Sequence, residues 1–174
     1  MKYSVEAAIE LLERTPGVLE AMLRGLSDQW MYANEGEDTW SPFQVVGHLI
    51  EGERNDWIPR CQIVLSDSEN KTFKPFDRHS QEEWIKGKCI EDLLETFRDH
   101  REQNIQILRS FQLNEEKLNR TGIHPAFGEV TLRQHLSTWM AHDQSHLAQI
   151  ARVLAKQYRD ECGPWTEYLP ILND

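Results

Sequence analysis

The sequence predicts an all-α protein, an antiparallel four-helix bundle with short extra helices, formed as one domain by residues 1–174. Three observations support this fold class. Apolar residues recur at helical spacing in four long segments, strand-type alternation is absent throughout, and no internal repeat interrupts the chain. A chain of 174 residues with 39% hydrophobic residues is the size of a single domain with one well-formed core.

The first two helical arms carry clear start signals. Apolar residues from Val5 to Leu12 follow helical spacing, and Thr15 with Pro16 then restarts the helix, which predicts one broken or kinked arm. The second arm opens at Ser41-Pro42, the same kind of signal. Because proline removes a helical donor, we expect Pro59 to kink or end this second helix.

The third and fourth helices follow a polar, irregular segment at 66–80, which we expect to be a mobile loop. Ser80 with Glu83 resembles a capping box for a short helix. A long helix then runs from Ile90 to Phe111, and its apolar stripe is interrupted once, at Arg101.

The last helix follows a Gly/Pro-rich connection, TGIHPAFGEV. It begins at Thr131, where Gln134 completes a second capping box. Glycine and proline at Gly163-Pro164 predict its end, and the tail WTEYLPIL is expected to pack against the outside of the bundle.

Composition narrows the classes of partner. The chain has 29 acidic and 19 basic residues, a net charge of −10, and no cluster of Lys or Arg, which argues against nucleic acid or an anionic membrane. Three scattered cysteines, Cys61, Cys89 and Cys162, fit a reduced compartment. The acidic N-terminal segment never builds a long apolar run, so we expect a cytoplasmic protein.

A pair of histidines, in HDQSH, lies within the last helix. Residues four apart share one helical face with Cβ atoms about 5–6 Å apart, so His142 and His146 could converge on one divalent ion. Seven histidines in 174 residues give roughly 0.3 such pairs by chance, so a third ligand is needed. His135, seven residues earlier, lies about 10.5 Å up the axis and is expected to be a wall or surface residue. Asp143 takes the place of the glutamate in HExxH, which argues against a zinc protease.

His48 is the best third histidine from the residues alone, since it lies mid-helix in VVGHLI beside Gly47, with Gly52 one turn on. We interpret these small neighbours as leaving room for an ion. The alternative is a core histidine that is hydrogen-bonded to a nearby group. Bundle cores build metal sites from facing helices, which keeps the three-histidine site open as a hypothesis.

Three stretches together, WSPFQVVGHL, HPAFGEVTLRQHLSTWMAHDQSHLAQI and GPWTEYL, resemble the DinB family of DinB/YfiT-like metalloenzymes over nearly the whole chain. The resemblance implies a bundle that holds a divalent metal with three histidines, here His48, His142 and His146. It also implies a homodimer. Imidazole ligands favour zinc or nickel, with manganese and iron as further options.

Three imidazoles would leave coordination positions open on the metal, which is typical of catalytic sites. With a small-molecule substrate, we expect activation of a low-molecular-weight thiol for transfer to an electrophile slightly ahead of hydrolysis of a small amide or ester, and both ahead of binding without turnover. For hydrolysis, Glu51 is the only obvious carboxylate base.

Side chains near the three histidines divide into two groups. Residues that share faces with the ligands are expected to line the cleft: Glu51, Gly52, Asn55, Trp139 and Gln149. For Glu51, Asn55 and Trp139, solvated or packing roles are equally open. Asp143 points about 100° away from His142 and is expected to cap or lie on the surface. His124 is either a residue of the cleft mouth or a surface residue, and His79 and His100 are expected at the surface.

Overall fold

The computed structural model describes residues 3–173 and confirms an all-α antiparallel four-helix bundle with short extra helices. The helices are α1 Val5–Leu12, α2 Thr15–Leu23, α3 Asp28–Met31, α4 Pro42–Asn55, α5 Trp57–Leu65, α6 Gln81–Trp84, α7 Ile90–Ser110, α8 Glu115–Leu118 and α9 Leu132–Lys156. Two strands, β1 Thr121–His124 and β2 Gly128–Thr131, precede α9, and 3₁₀ segments Asp160–Tyr168 and Pro170–Leu172 follow it.

The four arms of the bundle are α1 with α2, α4 with α5, α7, and α9. α4 packs along α7, α5 packs against α9, α1 lies against α9, and α2 lies against α7. The buried apolar side chains form two clusters, one around Leu49 and Phe97 and the other around Cys61 and Trp139. The polar residues described below lie between the arms that these clusters hold together.

The two helix starts predicted at Ser41 and Thr131 are confirmed, and a capping box forms at each, predicted at Thr131 but not at Ser41. The backbone N–H of Gln44 donates to Ser41 Oγ at 3.4 Å, and the N–H of Ser41 donates back to Gln44 Oε1 at 3.0 Å. At α9, the N–H of Gln134 donates to Thr131 Oγ1 at 3.1 Å, and the N–H of Thr131 donates to Gln134 Oε1 at 2.8 Å. These boxes fix where α4 and α9 begin, and therefore which face each later residue occupies.

The second arm breaks as its proline predicts. α4 ends at Asn55, Asp56 takes φ −115° and ψ −69°, and α5 begins at Trp57. Pro59 has no N–H to give to the carbonyl of Asn55, four residues earlier, and its ring crowds that carbonyl. The break therefore falls ahead of the proline, between Asn55 and Trp57.

A short hairpin corrects the expectation that strands are absent. β1 and β2 pair antiparallel, with Thr121 opposite Thr131 and His124 opposite Gly128. Gly128 has φ 72°, the left-handed conformation that closes a three-residue hairpin loop. Four-residue strands are too short to show alternation in the sequence, which is why the pattern missed them.

Segment 66–80 is irregular, as predicted, but its middle is attached to the hairpin. The N–H of Phe73 donates to the Ile123 carbonyl at 2.9 Å, and the N–H of Ile123 donates to the Lys71 carbonyl at 3.0 Å. A Cβ on Gly122 would lie 2.5 Å from the Phe73 ring, so only glycine lets the hairpin approach this closely. The attachment places residues 73–78 against the mouth of a cavity described below.

One predicted capping box is absent and one predicted helix end is wrong, although the short helix α6 does begin directly after Ser80. Ser80 makes no capping bond, because its backbone is already helical and its hydroxyl donates to Glu51 Oε2 at 3.1 Å. The last helix ends at Lys156 rather than at Gly163-Pro164. There the bonding tightens to i→i+3 contacts, such as Tyr158 N–H to the Ala155 carbonyl at 3.2 Å, which begin the 3₁₀ segment.

The tail packs on the bundle as predicted, although mainly through one residue. Leu172 is buried, and the segment Pro170–Leu172 contacts α9, whereas Trp165 and Tyr168 are exposed. Within the described residues, no helix is long and apolar enough to cross a membrane.

Candidate metal centre

Two stripes of side chains, each spaced by four residues, face one another across a cavity of about 680 Å³. The stripe on α4 and α5 consists of His48, Gly52, Asp56 and Arg60, and the stripe on α9 consists of Gln134, Thr138, His142 and His146. Spacing of four keeps side chains on one face of a helix. The cavity is therefore the gap between two arms of the bundle.

The three predicted histidines come together at one end of this cavity. The Nε2 atoms of His48 and His142 are 3.1 Å apart, and those of His142 and His146 are also 3.1 Å apart. One ring nitrogen from each of the three lies within 4.8 Å of the others. Nitrogens bound at about 2.0–2.1 Å to one tetrahedral zinc ion stand roughly 3.3–3.4 Å apart. The spacing therefore fits three ligands of one divalent ion.

All three imidazoles are held neutral, which is the form that binds metal. Burial lowers the pKa of His48 to about 3 and that of His142 to about 2, and in both cases the His146 ring lowers it further. Burial also lowers the pKa of His146, although its bond to Gln149 opposes the shift. No proton has to be displaced from these rings near neutral pH before a metal binds.

Hydrogen bonding fixes the ring orientation of His146. Its Nδ1–H donates to Gln149 Oε1 at 2.8 Å, so its Nε2 keeps a lone pair that faces the other two rings. Gln149 thus supports a ligand, although it does not line the cavity as we expected. The Nδ1 atoms of His48 and His142 are buried and have no acceptor among the described residues.

Aromatic rings enclose the triad. Trp40 packs on His48 at 4.6 Å between ring centroids, Phe76 meets His48 edge-on at 5.6 Å, and Trp57 meets His142 edge-on at 5.1 Å. The reason for the small residue at Gly52 differs from our interpretation. A Cβ there would lie 2.8 Å from Trp57 Nε1, so Gly52 makes room for this indole rather than for an ion.

Glu51 and Asn55 do not line the cavity, which corrects the expectation for both. Glu51 is buried and accepts from Asn55 Nδ2 at 2.7 Å and from Ser80 Oγ at 3.1 Å. Its carboxylate is therefore used to hold the segment before α6. Trp139 is also fully buried and packs against Trp57 rather than reaching the cavity.

Asp143 is the largest correction among the site residues, since it neither caps a helix nor lies on the surface. It is fully buried and accepts from both terminal nitrogens of Arg101, at 2.7 and 3.1 Å, and from Thr15 Oγ1 at 2.7 Å. The 100° rotation away from His142 was correct, but that direction faces α2 and α7 instead of solvent. Arg101, the residue that interrupts the stripe of α7, is its partner.

Asp56 and Arg60 are cavity residues that the sequence analysis missed, and His135 lines the cavity wall, one of the two positions expected for it. Asp56 pairs with Arg60 at 2.5 Å, and burial raises the Asp56 pKa to about 6 despite this guanidinium. His135 bonds to the Trp57 carbonyl through Nε2 at 3.0 Å, and burial lowers its pKa to about 4. The repeat of four from His48 through Asp56 to Arg60 was a sequence signal for the first two.

The remaining histidines divide as the sequence suggested. His124 lies in β1 and lines the cavity, with its ring stacked on Phe127 at 4.5 Å. His79 is exposed, and His100 is partly exposed and contacts Arg54. Neither lines the cavity.

The fold and this cluster define a class of protein: a four-helix bundle with three histidines arranged to hold a divalent metal at the end of an internal cavity. The chain belongs to the DinB superfamily, whose family model matches residues 11–150.

Curated relatives and one solved structure agree with this assignment. A Bacillus cereus (strain 03BB102) protein named "Putative metal-dependent hydrolase" is 25% identical over 147 residues, covering 84% of this chain and 83% of its own length. An Oceanobacillus iheyensis protein with the same description is 24% identical over 153 residues, covering 86% and 85%. YfiT from Bacillus subtilis, described as "a probable metal-dependent hydrolase with an unusual four-helix bundle topology", superimposes with a TM-score of 0.73 at 21% identity, covering 90% of each chain.

Proposed function

We propose that this protein is a metal-dependent hydrolase of a small amide or ester. The observation that carries the proposal is the convergence of three neutral histidine Nε2 atoms at one end of the 680 Å³ cavity. Cavities of about 300–1,000 Å³ hold small molecules. The similar proteins reported above are named for hydrolysis rather than for thiol transfer, which supports hydrolysis as the first candidate.

A divalent ion held by the three histidines would supply Lewis acidity, which both polarises a carbonyl and acidifies a bound nucleophile. The chain itself supplies the surroundings. Gln149 orients the His146 ring, while Trp40 and Phe76 keep bulk water from one side of His48. Fixed ligands in a partly desolvated cavity strengthen electrostatic stabilisation of a developing negative charge.

Asp56 acts on the far end of a bound molecule in this scheme. It lies eight residues from His48, about 12 Å along a helical path, and is paired with Arg60. This separation is too long for direct proton transfer to a group at the triad. The Asp56–Arg60 pair instead offers a donor and an acceptor to the end of the substrate that does not react.

Activation of a low-molecular-weight thiol for transfer to an electrophile is the second candidate, and one observation favours it. Asp56, the only carboxylate among the described cavity-lining residues, is paired with Arg60 and distant from the triad. A thiol needs no separate base when a metal lowers its pKa, so the lack of a carboxylate beside the histidines suits this reaction.

The test compares two assay panels on the full-length protein loaded with zinc or with nickel. One panel contains small amides and esters without thiol, and the other contains cellular thiols with monobromobimane. The variants are His142→Ala, which removes one ligand, and His100→Ala, which removes an imidazole outside the cavity.

We expect hydrolysis in the absence of thiol. This activity should be lost in His142→Ala and kept in His100→Ala. Conjugation that requires thiol, with the same dependence on His142, would replace hydrolysis by transfer. Turnover that survives His142→Ala in either panel would contradict a reaction at the triad.

A further inference from the structure

The cavity is positively charged inside a strongly acidic protein. Its charged lining consists of Asp56, Arg60 and Arg78, while burial lowers the pKa of each of its five histidines and favours their neutral form. Asp56 and Arg60 neutralise one another across 2.5 Å, which leaves the guanidinium of Arg78 uncompensated. The whole chain carries a formal charge of −10, so this local excess of positive charge runs against the rest of the surface.

Arg78 has no hydrogen-bond or ion-pair partner within residues 3–173. It lies in the turn that ends segment 66–80, and this segment is held against the hairpin through Phe73 and Ile123. Its backbone is therefore attached to the cavity mouth, although its side chain remains exposed. An arginine in this position is available to a ligand without first breaking a bond to the protein.

Aromatic side chains form the cavity wall beside Arg78. Phe76, two residues earlier, and Trp40 both contact the His48 ring and line the cavity. Trp57 and Phe127 continue this lining. A ligand that reaches the triad from the mouth therefore passes aromatic surface while a guanidinium lies at the rim.

We propose that Arg78 is a specificity-determining residue that binds a carboxylate of the substrate, and that the substrate is a small carboxylic acid with an apolar, ring-sized body. This inference rests on the proposed function, because it names the class of molecule that enters the same cavity. Guanidinium and carboxylate form two parallel charge-assisted hydrogen bonds, which a neutral amide cannot reproduce. A bound divalent ion would add its own preference for an anion, so the preference that belongs to Arg78 is the one measured after chelation.

The test measures binding rather than turnover. The probe is 3-phenylpropionate, and its neutral isostere 3-phenylpropanamide and phenyl phosphate are the comparison ligands. Dissociation constants are measured from tryptophan fluorescence and by calorimetry, on the zinc-loaded full-length protein and again after chelation. Arg78→Met removes the charge and keeps the length, and Arg159→Met removes an exposed charge outside the cavity.

We expect the native protein to bind the carboxylate about tenfold more tightly than the amide. Arg78→Met should remove this preference and leave amide binding within about twofold, while Arg159→Met changes neither. Arg78→Lys should keep part of the preference, because lysine retains the charge without the planar fork.

Three results would overturn the inference: equal binding of acid and amide by the native protein, a preference that survives Arg78→Met, or phenyl phosphate binding more tightly than the carboxylate. Failure of the proposed function would look different. In that case the Arg78-dependent preference would persist, including after chelation, while the zinc-loaded protein hydrolysed nothing.

Discussion

The bundle contains two polar clusters that lie side by side, one fully buried and one partly buried, and they differ in whether opposite charges are paired within the cluster. In the arginine cluster, formed by Arg101, Glu53, Asp143, Thr15 and Asn104, all four carboxylate oxygens accept at least one hydrogen bond. In the histidine triad, three neutral Nε2 atoms face one another at 3.1 Å without an opposite charge.

The contrast separates a cluster that stabilises the fold from one that is prepared for a ligand. Glu53 and Asp143 hold the pKa of Arg101 above its usual value, although burial alone would lower it. Only Nε of this guanidinium has no acceptor among the described residues. The three Nε2 atoms of the triad instead converge as the ligands of one cation would.

The two clusters are adjacent in the sequence, because His142 belongs to the triad and the next residue, Asp143, belongs to the arginine cluster. Glu53 likewise follows His48 by five residues and accepts from Trp139 Nε1 at 3.0 Å. The arginine cluster thereby holds α4, α7 and α9 at a fixed distance. That distance sets the separation of His48 from the two histidines of α9.

The largest expected effect comes from opening the arginine cluster. Arg101→Met leaves two buried carboxylates without their cation, and removing one partner of such a cluster lowers the free energy of unfolding by about 3–5 kcal/mol. Urea unfolding measures this loss. Arg98→Met, on the exposed side of the same helix, should change the free energy by less than about 0.5 kcal/mol.

Thr15→Val provides a milder test of the same cluster, since it removes one donor from Asp143 and keeps the shape of the side chain. We expect the free energy of unfolding to fall by about 1–2 kcal/mol.

In the metal-free protein, His142→Ala should lower the free energy of unfolding by less than Arg101→Met does, because the His142 ring faces a cavity. A triad variant that unfolds as readily as Arg101→Met would contradict the contrast between the two clusters.

The next effect is on metal affinity. Gln149→Leu removes the acceptor that orients His146 while keeping a side chain of similar size. Loss of such a supporting hydrogen bond weakens metal binding by about 10- to 100-fold. Competition with a chromogenic chelator measures the dissociation constant. Gln144→Leu, exposed on the same helix, is the control, and equal affinities in the two variants would remove the proposed role of Gln149.

Another expected effect is a pH dependence of stability that comes from His135. Burial lowers its pKa in the folded protein to about 4, from about 6.5 for an exposed histidine. The stability it contributes is therefore complete above pH 6.5 and falls as the pH drops towards 4, by about 1.4 kcal/mol per pH unit. His135→Gln, which keeps a donor for the Trp57 carbonyl, should show a shallower slope in that window.

Asp56 works in the opposite direction between pH 4 and 6, because its pKa is raised to about 6. Since both proteins contain Asp56, its contribution cancels in the difference between them. His79→Gln serves as the control for the loss of an exposed imidazole. Equal slopes for the native protein and His135→Gln would show that His135 does not titrate as its burial requires.

Local signals in the sequence were sufficient for the framework of the site. An N-cap followed by proline at Ser41 and a capping box at Thr131 placed two helix starts correctly, and spacing of four put His142 and His146 on one face. The helix break followed from the absence of an N–H on Pro59. These features depend on neighbours within a few residues, so a single sequence contains them.

The sequence did not predict features that depend on contacts between distant residues. Asp143 meets Arg101 across 42 residues and Thr15 across 128, so helical periodicity could place its face but not its partners. Glu51 shared the face of His48 and still turned to Ser80, in another element. Likewise, nothing in the composition of segment 66–80 indicated that Phe76 and Arg78 would line the cavity.

The central claim is that His48, His142 and His146 together hold one divalent metal ion. Its most direct test is the metal content of the purified protein, measured by elemental analysis after incubation with excess zinc or nickel and gel filtration. Two triple variants are compared, one with alanine at 48, 142 and 146 and one with alanine at 79, 100 and 124, so each loses three imidazoles. We predict one ion per chain in the native protein and in the second variant, and none in the first. Equal metal content in the two variants would contradict the claim.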